Sequence, residues 1–448
     1  MLPDSIIHIN KKVEGISPNL RGFFFIKERK IEIPYSLPGD VYNVYKFGKR
    51  KVFYKWDPTH LEPRISAPQC ASFGECGGCS GQHLPYSEQF KLTTEPILNG
   101  LENFNPSRLS VSPADSSYSY RNRMDFAVFP GRIVGLRMSG NFRKIVPIRN
   151  CSIQTDWANS EMPLFQKLLE CFPDLEYDRK KESGYLKYFT LRKSVFHDDS
   201  MSILTFTEDF KNEDLMRKVA EKALEVLSAK NIVFCFNRKK GEISASGEAI
   251  AIRGNIYLIE EIWGKKFKIP FDGFFQPNPK EFIKILEFIK SKIVRAENLA
   301  DLFCGSGFFS ILFGEKFSRI LGIDIVSSSV SAGEEFLQEV FPDKKIEFLA
   351  FDLFHKKGLE KMSSANLPWK DSVVIADPPR SGLSPELCTF LNSNPVSQLI
   401  YISCNPENLL RDAKLLEESY RMEEFLLCDP FPQTPHLEAV SIFSPKNR

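Results

Sequence analysis

The first sixty residues alternate apolar and polar positions in short runs, at 6–9, 22–26, 31–33, 41–47 and 50–56, parted by turn formers such as Ser17-Pro18-Asn19 and Pro38-Gly39-Asp40. Five strands in so short a span predict a small all-β unit over residues 1–62, of the oligonucleotide-binding barrel type. Residues 63–85 are rich in Cys and Gly and too poor in apolar side chains to hold a core. Helical spacing of Phe90, Leu98 and Leu101 then predicts a helix over 86–104, interrupted only by Pro96, that can pack on the C-terminal region. Between 118 and 150 the period returns to two, with turns at Pro130-Gly131 and Ser139-Gly140, the pattern of an antiparallel meander. Strands and helices alternate on to 265 and complete a mixed α/β middle region, 63–265.

From 266 onward the alternation becomes regular. Apolar runs at 299–303, 319–325, 346–351, 372–376 and 398–403 read as buried strands with helices between them, the signature of a doubly wound parallel sheet over 266–448. The runs 422–428 and 437–443 face each other across a Pro-rich loop and predict an antiparallel hairpin at the sheet edge.

Composition changes this picture little. The 448 residues are 42% hydrophobic and 26% charged, enough to fill several cores and to exclude wholesale disorder. No run approaches the ~18 apolar residues of a membrane span, and the N-terminus lacks a charged-then-apolar signal pattern, so the expectation is a cytoplasmic monomer without a membrane partner. A formal net charge of +2 means that any nucleic-acid role must rest on a local basic face. Two stretches offer one. Lys46, Lys49, Arg50 and Lys51 interleave with Tyr45, Phe47, Phe53 and Tyr54, which suits either a base-stacking surface or an edge strand guarded by lysines. Residues 118–150 carry seven basic side chains (Arg121, Arg123, Arg132, Arg137, Arg143, Lys144, Arg149) against one acid, Asp125.

Candidate chemistry gathers at the predicted strand ends. In 299–311, LADLFCGSGFFSI, a strand runs into a Gly-rich turn and a helix, with Ser310 where a dinucleotide-binding turn would place its third glycine. The next two strands end in Asp324, suited to ribose hydroxyls, and Asp352. Three such features in order point to a nucleoside cofactor, and NAD fits less well than others. IADPPRSG at 375–382 puts Asp377 at the crevice of the sheet, with Arg380 where amine methylases commonly carry an aromatic residue. IYISCNP at 400–406 ends a strand on Cys404, a packing thiol or, given its place in the crevice, a nucleophile. Glu438 and His436, on the returning strand, are both candidates for a base near that thiol.

Ten cysteines in a long chain do not make a disulfide scaffold, yet three crowd together as Cys70-x5-Cys76-x2-Cys79, with Cys151 closing the meander. Four thiolates so arranged can wrap a tetrahedral Zn²⁺ or a [4Fe–4S] cluster; the spacing is neither the paired CxxC zinc pattern nor the three-cysteine radical signature.

With these motifs in view the chain resembles the bacterial RNA uracil-C5 methyltransferases, most closely the cluster-bearing type that modifies 23S rRNA. The resemblance runs from the N-terminal unit through the cysteine group, FFQPN at 274–278, LFCGSG at 302–307, DPPR at 377–380 and SCNP at 403–406 to HLE at 436–438. It implies a C-terminal Rossmann-like class I methyltransferase domain, an N-terminal TRAM/OB-like β-barrel and a central α/β domain carrying a [4Fe–4S] cluster on Cys70, Cys76, Cys79 and Cys151. It implies S-adenosyl-L-methionine as donor, contacted by Gln276, Phe303, Asp324, Asp352 and Asp377, with Cys404 as nucleophile and Glu438 as base. The substrate it implies is RNA, 23S rRNA first and tRNA second, held by Asp377, Arg380, Arg121 and Arg123. Two positions depart from the pattern: relatives usually have Glu where Asp324 stands and Asn where Phe308 stands. Competing readings are an exocyclic-amine methylase, which needs no nucleophile, and a non-catalytic RNA-binding factor.

Overall fold

A computed structural model describes residues 8–47, 52–56, 67–365 and 367–446. They form two compact units: 1–92 with 116–280 and 432–435, and 93–115 with 281–431 and 436–448.

The second unit is built on an eight-stranded sheet. Its order is Lys345–Ala350, Arg319–Asp324, Asn298–Leu302, Ser372–Ala376, Gln398–Ser403, Glu438–Pro445, Tyr420–Cys428 and Arg108–Ser112. The first five strands are parallel. Asn298–Leu302, Ser372–Ala376 and Gln398–Ser403 are buried along their whole length, which is why they read as continuous apolar runs rather than as alternation. The order reverses between Asn298–Leu302 and Ser372–Ala376, and at such a point the two connecting chains leave to opposite faces and open a crevice beyond the strand ends. The expected hairpin forms, Tyr420–Cys428 against Glu438–Pro445, but it is not the sheet edge: Arg108–Ser112, some 300 residues earlier, adds in parallel outside it, with Leu427 opposite Val111. That strand is short and half exposed, so its own pattern carried no sign of the pairing.

The first unit holds a seven-stranded sheet in the order Asn141–Pro147, Ile133–Met138, Arg123–Phe129, Leu186–Lys193, Ser200–Thr207, Asn231–Asn237, Glu248–Arg253. The first three are the expected meander. Helix Glu213–Val226 supplies the crossover for the sheet's one parallel pair, Ser200–Thr207 with Asn231–Asn237. Helix Asp156–Cys171 lays Met162, Phe165, Leu168 and Leu169 on the sheet, and Phe165 stacks on Phe189 with centroids 3.8 Å apart. The N-terminal segment forms two three-stranded antiparallel sheets, Val41–Phe47 between His8–Lys12 and Val52–Trp56, and Arg21–Ile26 between Gly15–Ile16 and Arg29–Pro34. Val13, Phe24, Ile26, Ile31, Ile33, Tyr42 and Val44 form one core between them. Lys49, Arg50 and Lys51 lie outside the described residues, as do the side chains of Tyr45, Lys46, Phe47, Phe53 and Tyr54. Among the described residues no helix is long and apolar enough to cross a membrane.

One buried carboxylate fastens the middle of the first unit. Glu161, fully buried on helix Asp156–Cys171, accepts hydrogen bonds from Ser202 Oγ (3.0 Å), Ser228 N (3.1 Å) and Ala229 N (3.2 Å). Glu161→Ala strands these donors away from water, and a loss of about 3 kcal/mol is expected in urea unfolding; an unchanged midpoint refutes the assignment.

Candidate active site

At the reversal point of the second unit's sheet, the strand Asn298–Leu302 gives way to a backbone that turns through three left-handed residues, Phe303 (φ 63°), Gly305 (φ 54°) and Gly307 (φ 81°). A β-carbon at Gly307 would stand 2.8 Å from Leu337 Cδ1, whereas one at Gly305 would meet nothing within 4 Å, so the loop packs on one side and opens on the other. Ser310, where a third glycine was sought, has a different task. Its N–H (3.0 Å) and hydroxyl (2.7 Å) both donate to Asp301 Oδ2. The other oxygen of Asp301 is buried and without a partner among the described residues. Burial, helped by the charge of Asp324 and opposed by the two Ser310 bonds, pushes this carboxyl up to about 7. Asp301 was not singled out from sequence; an acid as the fourth residue of a fully buried strand was the available signal.

The other strand ends complete the crevice. Asp324 accepts from Gly305 N and Val326 N, both at 2.9 Å, and so ties the second strand to the turn. Asp352 accepts from Phe354 N at 2.8 Å, and Phe354 lies 5.7 Å from the Phe303 ring. Phe308 instead packs its ring against Phe309 and Phe282, at 5.3 and 6.1 Å. Asp377 continues the fourth strand, its N–H on the Leu302 carbonyl (3.3 Å), and burial with the nearby Asp301 pushes it up to about 7. An unsatisfied buried acid, an open glycine turn and two strand-end carboxylates make a cradle that fits a cationic nucleoside.

Cys404 and Glu438 meet through strand register. Gln398–Ser403 pairs antiparallel with Glu438–Pro445, with Ser403 opposite Ala439. Cys404 follows Ser403 and Glu438 precedes Ala439, so the two residues leave the ladder at the same end, near enough for the Glu438 charge to act on the thiol. Cys404 is half-buried, and burial, then the charges of Glu438 and Asp377, push its thiol up while Arg380 opposes them. Glu438 is only 3% exposed; burial foremost, and Asp377 after it, raise its pKa well above the carboxylate range, again against Arg380. Cys428 flanks Glu438 on the other side, but it is fully buried and pushed up to about 12, which leaves Cys404 the accessible thiol of the pair. His436 is exposed and precedes the strand, whereas Glu438 begins it.

The segment carrying Arg380 is clamped from below. Asp412, fully buried, accepts from Tyr401 Oη (2.7 Å) and Leu383 N (2.8 Å). Arg411 binds Asp412 Oδ1 through Nε (2.8 Å) and donates to the Ser381 carbonyl (2.7 Å), and Asn408 Nδ2 holds the Arg380 carbonyl (2.7 Å). The sequence pattern marks neither Asn408, Arg411 and Asp412, whose helix Pro406–Leu416 reads as an ordinary amphipathic one, nor Tyr401, which sits within a fully buried strand.

The remaining candidates lie in the first unit. Gln276 follows the strand Lys265–Pro270, its carbonyl held by Asn122 Nδ2 at 3.1 Å. Arg121 donates to the Arg123 carbonyl (3.1 Å), and Arg123 pairs with Asp125 (3.2 Å) and the Gly273 carbonyl (3.3 Å), so both guanidiniums are engaged inside the protein. The thiols of Cys76, Cys79 and Cys151 are all raised, chiefly by burial, Cys76 to about 11 and Cys79 to about 12; charge on Cys70 raises all three further. Gln82, also missed, accepts from Cys70 N (3.0 Å) and donates to Ser152 Oγ (3.3 Å), joining the loop to the Cys151 segment. Gly78 N points at Cys76 Sγ (3.4 Å). Among the described residues no three His, Cys, Asp or Glu side chains converge on a single metal ion.

The chain has relatives among known proteins. Residues 259–446 match the family described as tRNA (uracil-5-)-methyltransferase. A protein of Leptospira interrogans called an uncharacterized RNA methyltransferase is 44% identical over 97% of both chains. The tRNA (uracil(54)-C(5))-methyltransferase of Pyrococcus horikoshii is 28% identical over 91% of this chain and 94% of its own. The crystal structure of the Pyrococcus abyssi tRNA (uracil-54, C5)-methyltransferase with S-adenosyl-L-homocysteine shares the fold, with a TM-score of 0.76 at 23% identity over 97% of this chain and all of that one.

Asp412→Ala removes the acceptor for Tyr401 Oη and Leu383 N. It is expected to cost about 3 kcal/mol in urea unfolding, while Asp412→Asn, which keeps an acceptor, costs less; equal losses for the two variants refute the clamp.

Proposed function

The chain belongs to the S-adenosylmethionine-dependent RNA uracil-5 methyltransferases, and from that premise we propose that it forms 5-methyluridine with Cys404 as nucleophile and Glu438 as base. The observation that supports the proposal is a half-buried thiol and a buried carboxyl at the same end of two antiparallel strands, each within reach of the crevice charges.

Carbon 5 of uracil is a poor nucleophile. Addition of the Cys404 thiolate to carbon 6 pushes the ring electrons onto O4 as an enolate, and carbon 5 can then attack. Asp377 and Arg380 are read as holding the pyrimidine edge and its developing charge. S-adenosylmethionine, when bound, supplies the electrophilic methyl group that carbon 5 takes. Glu438 then removes the carbon-5 proton; the electron pair restores the 5,6 double bond and expels the Cys404 sulfur. Asp301, Phe303, Asp324, Asp352 and Asp377 are the residues of the second unit that would hold the donor. Acids that keep their protons in an empty crevice become anionic when a cation arrives, so donor binding and ionisation support each other.

The RNA is proposed to be tRNA. The expectation from sequence was 23S rRNA; the support for tRNA is that relatives spanning most of the chain include archaeal enzymes named tRNA (uracil(54)-C(5))-methyltransferase. Tritiated-methyl transfer to unmodified tRNA and 23S rRNA transcripts decides between them. The two N-terminal sheets are read as the TRAM-like barrel, and Cys70, Cys76, Cys79 and Cys151 as [4Fe–4S] ligands, because four thiols near enough for their charges to act on one another, Cys76 and Cys151 buried, suit a group that holds them as thiolates. Anaerobically prepared protein should absorb near ~400 nm and contain about four irons; stoichiometric zinc without iron refutes this reading.

Cys404→Ala should lose at least about 1000-fold in turnover. Glu438→Gln should stop after methyl transfer and accumulate an RNA–protein adduct on denaturing gels; an active Cys404→Ala, or a fully active Glu438→Gln, overturns the mechanism. Both groups act ionised and both pKa values are raised, so their reactive forms grow only as pH climbs. The rate is therefore expected to rise through the neutral range, by up to about tenfold per pH unit.

A further inference from the structure

Strand Asn141–Pro147 forms the edge of the first unit's seven-stranded sheet, and its pairing is broken. Asn141 stands opposite Met138, yet the next pair is Ile145 with Arg137. Phe142, Arg143 and Lys144 are thus looped out with no residue facing them, and all three are exposed, Phe142 at 78%. Charge alone would guard the edge, whereas this bulge presents an aromatic ring together with two cations.

The display is braced. Arg137 Nη1 donates to the Phe142 carbonyl (2.9 Å), and Nη2 of the same guanidinium binds Glu242 (2.7 Å). Glu242 is also held by Arg179 (3.0 Å) and by Tyr188 Oη, so this acid's charge is spent on the brace. Behind the turn, Gly77 N binds the Arg137 carbonyl (2.9 Å) and Ser139 N the Glu75 carbonyl (2.8 Å), which fixes the hairpin to the cysteine loop. Among the described residues neither Arg143 nor Lys144 has a carboxylate partner.

We propose that the looped-out Phe142-Arg143-Lys144 segment is an RNA-docking platform, on which an unpaired base stacks against the Phe142 ring while Arg143 and Lys144 take the adjoining phosphates. The inference rests on the RNA reading above. It gives the bulge a role that Arg121 and Arg123, engaged internally, do not fill. Stacking tolerates any base, because each has a π-face, and two exposed cations next to it in the chain can take phosphates.

The test uses the full chain, a fluorescein-labelled unmodified tRNA transcript and a short oligouridylate. Phe142→Ala should bind the transcript about tenfold more weakly with an unchanged melting temperature, since the ring is 78% exposed. Phe142→Trp should restore affinity, and its added fluorescence should be quenched by oligouridylate relative to the parent. Arg143→Ala with Lys144→Ala should lower the slope of log Kd against log salt by about 1 to 2, which Phe142→Ala leaves unaltered. Parental affinity in Phe142→Ala, or no quenching in Phe142→Trp, overturns the platform. Methyl transfer by the unaltered protein is scored in parallel. Its absence together with weakened binding by Phe142→Ala sinks the proposed reaction and leaves the platform standing; its presence with normal binding does the reverse.

Discussion

Glu438 faces Cys404 because one antiparallel strand is inserted beside the last member of a parallel row. In a purely parallel sheet every strand brings its carboxyl end to the crevice, and the residues there arrive from similar loops. Reversing the neighbour brings an amino end to the same rim. A strand beginning on a buried glutamate can thereby stand beside a strand ending on a thiol, with a ladder of backbone hydrogen bonds setting the separation. Everything proposed for the chemistry leans on that register, since a shift of one residue would turn the carboxyl to the opposite face.

The electrostatics of the crevice follow from the same geometry. Asp301, Asp377 and Glu438 are brought into poorly solvated positions, where each raises the pKa of another or is raised by one, and Arg380 is the cation that opposes this at Glu438 and Cys404. The result is a pocket short of positive charge. The proposed sulfonium donor would bring the charge that is missing. The segment bearing Arg380 must therefore stay in place, and Asp412, Tyr401, Arg411 and Asn408 hold it from the side away from the reaction.

The first unit applies a similar economy to a different task. Its meander reads from sequence as a uniformly basic face, yet Arg121, Arg123 and Arg137 are consumed in internal contacts, and the cations left to solvent include two on a bulge. Counting charge along a strand overstates what a partner would feel, because a guanidinium tied to a carboxylate or a carbonyl has given up much of its field.

By itself the sequence determined the parallel sheet, the order of its strand-end acids, the meander and the motifs at Cys404 and Glu438, because these depend on local periodicity and on glycine and proline at fixed offsets. The pairing of Ser310 with Asp301, the Asp412 clamp and the addition of Arg108–Ser112 as the outer strand came only with the tertiary structure. Each joins residues through a sheet register or a buried hydrogen bond, and a partner chosen in that way leaves no trace in the pattern of its own segment. The two sheets near the N-terminus show the same division: alternation was enough to reveal strands, whereas which strands pair is a property of the core they share around Val13, Phe24 and Val44.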